Sequence, residues 1–201
     1  FNEHYPSRRA ATLAIAKVVR EEARDLERAG AQYIQVDEPA ISTRPEEMGL
    51  AIEALGIVTK GLRAKTLTHI CYGDFTAIGP KLHKLPVDQI DLEFANRNFE
   101  LLDFFRGKRF SKEIGLGVVD VHSHRIESTE EVVANLKEAL TVFRPEQIYV
   151  DPDCGLKTRS PQEAIQKLRV VVEATRAVRE WLAESNGKVR RQKVSLATAA
   201  R

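Results

Sequence analysis

Cysteine is scarce in this 201-residue chain: there are two, Cys71 and Cys154, alongside one methionine and one tryptophan. Two cysteines so far apart exclude the disulfide framework that staples small secreted domains, and a chain of this length does not need one. A single bridge between them is the bland alternative. Each cysteine, however, sits beside other metal-ligating residue types, so reduced thiols in the cytoplasm are expected. No run of about 18 apolar residues occurs, which argues against a membrane-spanning helix. An excess of charge is also missing: the net charge is +2, and Lys and Arg alternate with Asp and Glu rather than forming a stripe, so nucleic acid is not an expected partner. The one basic cluster is the tail, with Lys188, Arg190, Arg191 and Lys193, read as a flexible, solvated segment over 187–201. The opening residues, Phe1 to Pro6, have neither an initiating Met nor a basic-then-apolar leader, so the start reads as that of a fragment or a processed chain.

What the chain does have is an ordinary globular composition, 43% hydrophobic and 30% charged, enough for one sizeable core over 1–186. Helical and strand-like patterns alternate. A helix is expected from Ser7 to Ala29, closed by Gly30. A strand at 33–36 runs into Asp37-Glu38-Pro39, and a helical pattern follows from Pro45 to Leu62. The next strand, 65–71, ends in His69-Ile70-Cys71 and leads to a helix at 75–82. A strand at 89–94 and a short apolar helix at 99–105 precede a strand-like run, 114–121, that delivers His122-Ser123-His124. Ser128 with Glu131 forms a capping box for a helix reaching Phe143. Ile148-Tyr149-Val150 empties into Asp151-Pro152-Asp153-Cys154, and Ser160-Pro161 with Glu163 starts a last helix running to about Glu184.

Five strands alternating with helices imply a parallel sheet with right-handed crossovers, either doubly wound or part of a barrel. The position of the polar residues decides between them. Asp37, His69, Cys71, Glu93, His122 and Cys154 all lie at or just past a strand's C-terminal end, and they come from all five strands. An open sheet builds its site at one switch point, whereas a barrel brings every strand end to one mouth. The expected fold is therefore a TIM-type (β/α)8 barrel of which this chain carries about the last five strands. Three strand–helix units would lie upstream of Phe1, and without them both sheet edges would be open to association.

His69 and Cys71 stand two residues apart on a strand, so both side chains point the same way. With Glu93 and Cys154 they make a nitrogen, a carboxylate and two thiolates, a tetrahedral set suited to zinc. Thiolate donors neutralise much of the metal's charge, which suits the site to holding and alkylating another thiol rather than activating water. Asp37 and Glu38 are candidates to hold a substrate ammonium group, with a helix cap or ion pair as their structural alternative. His122 is a candidate general acid, or else an orienting hydrogen-bond partner.

The stretches IQVDEPA (34–40), THICYGDF (68–75), DLEFA (91–95), GVVDVHS (117–123) and DPDCGLKTR (151–159) resemble the C-terminal catalytic barrel of the cobalamin-independent methionine synthase family. The resemblance implies that His69, Cys71, Glu93 and Cys154 bind Zn2+, that Asp37 holds the amino group of homocysteine, and that His122 donates a proton. It implies methyl transfer to the zinc-bound thiolate of homocysteine to give methionine. After DEPA this chain reads Ile41-Ser42-Thr43, where the two-barrel members continue Leu-Arg-Glu and use the Glu on the folate. DLEFA and DVHSHRIES are more similar to the short, single-barrel members. The implied methyl donor is therefore 5-methyltetrahydrofolate or a methylcorrinoid. Alkyl transfer to another thiol, a metal-dependent barrel hydrolase built on Asp120, His122 and His124, and a non-catalytic scaffold are the competing readings.

Overall fold

Each strand pairs, in parallel, with the strand that precedes it in the chain, so the sheet order is the sequence order. The strands are β1 (Tyr33–Gln35), β2 (Lys65–Ile70), β3 (Gln89–Leu92), β4 (Glu113–Gly117) and β5 (Ile148–Asp151). This is a computed structural model that describes residues 3–73 and 75–199, with side chains to Ser185 apart from Thr76. A sheet that always steps in one direction has no point at which the order reverses, which rules out a doubly wound arrangement and leaves a segment of a (β/α) barrel. Among the described residues β1 and β5 are paired on one side only.

The helices are α1 (Arg8–Arg28), α2 (Met48–Thr59), α3 (Phe75–Leu82), α4 (Leu101–Phe105), α5 (Thr129–Ala139) and α6 (Pro161–Ala199). Their starts follow local chemistry. Ser7 Oγ accepts the Ala10 N–H at the start of α1, and Ser128 Oγ accepts that of Glu131 at the start of α5, satisfying donors the first turn would leave orphaned. The basic tail expected over 187–201 falls where no side chain is described.

Alternation along the strands sends Thr66, Thr68 and Ile70 of β2 toward the helices, where all three are buried. Ile90, Leu92, Ile114 and Leu116 join Phe75, Ile78, Leu82, Leu102 and Leu136 in the main core. A smaller cluster, Ala16, Ala23, Ile34 and Val58, sits beneath α1 and α2.

The opposite face carries the polar residues, and it is strongly curved. Lys65 Nζ on β2 lies 2.7 Å from both carboxylate oxygens of Glu113 on β4 and 3.0 Å from the Tyr149 hydroxyl on β5. Strands spaced about 4.8 Å apart would hold β2 and β5 roughly 14 Å apart in a flat sheet. Curling toward this face closes that gap, as a barrel wall requires. Gly115 belongs to the same geometry, since a Cβ there would overlap Asp91 Oδ1.

Several boundaries differ from expectation: α5 ends at Ala139 rather than at Phe143, and the backbone of α6 continues to Ala199 rather than stopping near Glu184. β4 ends at Gly117, and Val118, Val119 and Val121 are buried in the turn that follows. Their apolar character serves the core, while the ladder runs out with the Val118 N–H donated to the Asp151 carbonyl.

Candidate metal centre

The curl brings β2's end against β5's end. The ligating atoms of His69, Cys71 and Cys154 all lie within 4.8 Å of one another, although the two cysteines follow strands three positions apart in the sheet. Both thiols are free. Among the described residues this is the one group of three or more metal-ligating side chains that converges.

Glu93, the fourth expected ligand, lies next to this trio but outside it. It is 1% exposed, and its Oε2 accepts the Tyr72 N–H at 3.1 Å and Asn96 Nδ2 at 2.8 Å. Its Oε1 is buried and has no hydrogen-bond partner, and the same holds for His69 Nε2. A buried carboxylate oxygen and a buried imidazole nitrogen left without partners are costly, and a cation between them and the thiols would satisfy both. The donor set therefore fits a metal.

The local electrostatics agree. Burial pushes the Cys71 thiol up to about 12, and the neighbouring Cys154, Glu93 and Asp37 add to the effect by disfavouring a further negative charge. The Cys71 thiol therefore keeps its proton until a positive charge arrives.

Of the other expected site residues, Asp37 is exposed at β1's C-terminal end and accepts Gln35 Nε2 at 2.8 Å. Glu38 is half-buried, and burial raises its carboxyl even though it accepts the N–H groups of Ala40 and Ile41. Glu38 thus shapes its own loop. His122 Nε2 stands 3.6 Å from Glu93 Oε1, which places the ring at the edge of the metal-ligating cluster. His124 turns the other way, with Nδ1 2.7 Å from Glu163 Oε1 at the start of α6. Asp120 Oδ1 accepts the His122 backbone N–H at 2.8 Å. Asp120, His122 and His124 therefore do not converge as a hydrolase metal site would require.

Two neighbours were not expected. Tyr72 has φ of 57° and is 54% exposed, with its ring 5.1 Å from that of His122. Its left-handed backbone turns the N–H toward Glu93. Asn96 Nδ2 donates to the same carboxylate oxygen. The following glycine, Gly73, has φ of 82° and packs so closely on Ser42 that a Cβ would lie 2.8 Å from its carbonyl; this Gly after an aromatic was the signal available in the sequence.

Residues 2–177 match the family model described as "Cobalamin-independent synthase, Catalytic domain". The chain belongs to this family. It is 42% identical over 182 residues to the methionine synthase of Saccharolobus islandicus (strain L.S.2.15 / Lassen #1), covering 90% of this chain and 55% of the relative. The methionine synthase of Sulfurisphaera tokodaii is 47% identical over 182 residues, covering 90% and 53%. A solved B12-independent methionine synthase from Shewanella sp. W3-18-1, in complex with selenomethionine, superposes with a TM-score of 0.83 at 32% identity, covering 92% of this chain and 59% of that one. The chain spans about half the length of the curated synthases it matches. No helix among the described residues is long and apolar enough to cross a membrane.

Proposed function

We propose that this chain is the metal-binding portion of a methyltransferase that transfers a methyl group to the sulfur of homocysteine, giving methionine, with zinc as its metal. The observation that carries this reading is the convergence of His69, Cys71 and Cys154 within 4.8 Å at the C-terminal mouth of a parallel, curled sheet. On this reading residues 1–186 are the barrel portion and 187–201 a basic tail, and free thiols suit the cytoplasm.

Zn2+ bound there supplies the positive charge beside which an alkyl thiol of pKa ~8.5 loses its proton at pH 7, a step costing roughly 2 kcal/mol in water. The chain's own residues supply the rest. Asp37, exposed at the mouth, offers a carboxylate to the substrate's ammonium group, and Glu38 fixes the loop on which it stands. Glu93, held by Tyr72 and Asn96, completes the ligand set from the third strand.

His122, at the edge of the cluster, is the proton donor where the methyl group comes from a folate. A reduced folate departs with a nitrogen that needs a proton, whereas a corrinoid departs without one, so the donor is 5-methyltetrahydrofolate or a methylcorrinoid according to whether His122 is required.

Zinc per chain, measured with and without Cys154→Ser, tests the metal. The expected result is about one ion in the parent and a large loss in the variant. A protein that never retains zinc overturns the reading. Cobalt substitution tests the substrate, since homocysteine is expected to change the cobalt absorption spectrum and alanine is not. Turnover of His122→Ala with each donor then identifies the donor.

A further inference from the structure

Asp153 is fully buried, yet nothing in the ligand set uses it. It immediately precedes Cys154, at the end of β5, and its carboxylate reaches across β4 to the turn that follows β3. There it accepts three backbone N–H groups in succession: Oδ1 takes those of Phe94 and Ala95 at 3.0 Å each, and Oδ2 takes that of Asn96 at 2.7 Å. Three donors converging on one carboxylate define its position and orientation almost completely.

The seat is built for this one side chain. Gly117 on the intervening strand would, with a Cβ, overlap Asp153 Oδ1. The backbone of Asp153 is fixed as well, since its own N–H is donated to the Val119 carbonyl at 3.0 Å. Asn96, held by its backbone N–H, in turn donates its side-chain amide to Glu93 Oε2 at 2.8 Å. A continuous set of contacts therefore runs from Cys154 through Asp153 and Asn96 to Glu93.

We infer that Asp153 is a positioning residue of the metal centre, clamping the turn at 94–96 against the end of β5 and so fixing Glu93 relative to Cys154. The inference rests on the metal reading above. Ligands contributed by separate strands have no covalent link to set their spacing, and the contacts behind them set affinity. Asp153→Asn keeps the shape but puts an amide NH2 against at least one backbone N–H, donor against donor. Gly117→Ala retains the carboxylate and pushes it from its seat.

The test is Zn2+ affinity of the intact chain by competition with a chromophoric chelator, together with amide hydrogen exchange at Phe94, Ala95 and Asn96. Asp153→Asn and Gly117→Ala are each expected to weaken Zn2+ binding about 10- to 100-fold and to speed exchange at those three amides, with circular dichroism unchanged. Should Asp153→Asn fail to fold, Asn96→Ala, which removes only the bond to Glu93, is expected to weaken Zn2+ binding several-fold. Parent-like affinity in a folded Asp153→Asn or Gly117→Ala variant, or in Asn96→Ala, overturns the inference and leaves the metal reading intact. A parent chain that takes up no Zn2+ removes the metal reading, and the inference with it, at the first step.

Discussion

Lys167 on α6 and Glu127 before α5 form an ion pair with both side chains inside the protein, 0% and 3% exposed, Nζ 2.9 Å from Oε2. Lys167 also donates to the Arg125 carbonyl at 2.6 Å, and Glu127 Oε1 accepts the Asp120 N–H at 3.0 Å. The pair thus pins the segment 120–127, which carries His122, onto the last helix.

Lys167→Met leaves Glu127 charged and unpaired in the interior, and a loss of about 3–5 kcal/mol in unfolding free energy is expected. Removing both charges in Lys167→Met/Glu127→Leu avoids the lone buried charge, so the double variant is expected to be less destabilised than the sum of the singles by about 1–3 kcal/mol. Urea denaturation of the four proteins checks this. Strict additivity would show that the pair is not coupled.

Metal uptake is expected to depend steeply on pH. The Cys71 thiol, pushed up to about 12, is protonated throughout the neutral range, whereas a metal ligand must be a thiolate. Binding at pH 7 therefore releases its proton, and affinity rises about tenfold per pH unit for each proton displaced. Calorimetry in buffers of different ionisation enthalpy counts the protons. An affinity flat between pH 6 and 8 would contradict the placement of Cys71 in the ligand set.

The start of α6 offers a different titration. Glu163 accepts the Ser160 N–H at 2.8 Å and faces His124, and these contacts hold its carboxyl down at about 2. Because the folded value lies below the unfolded one, the stabilisation is present above about pH 4.5 and is lost as pH falls toward 2. Carbon-detected NMR titration should place the midpoint near 2, and His124→Ala should raise it part of the way, because the larger backbone contribution remains. An unchanged midpoint would remove His124 from this role.

What could be read in the chain follows from periodicity and what could not follows from curvature. His69 and Cys71 share a face because a strand repeats every second residue, and that rule holds without knowledge of any neighbour. The Lys167–Glu127 pair joins positions 40 apart with no pattern linking them. Glu93 was legible as a strand-end carboxylate, while its place beside the trio rather than within it depends on Asn96 and Tyr72, which no spacing connects. Val118 to Val121 look like a strand since burial in a turn and burial in a ladder demand the same apolar residues.

Tyr72 shows the same limit and gives a separate test. A tyrosine at φ of 57° costs on the order of 1 kcal/mol relative to a residue that tolerates the left-handed region. Asparagine tolerates it, and the half-exposed ring contributes little to the core, so Tyr72→Asn is expected to raise unfolding free energy by about 0.5–1 kcal/mol. The backbone N–H to Glu93 is retained, so Zn2+ affinity should stay near the parent's. What disappears is the ring beside His122, 5.1 Å away. On the proposed function, a ring that holds the imidazole in place means that turnover falls while stability rises, the exchange expected where a strained residue serves a site. Parallel measurement of denaturation midpoint, metal content and turnover separates these effects. A variant that is more stable and equally active would show that the strain serves only the turn.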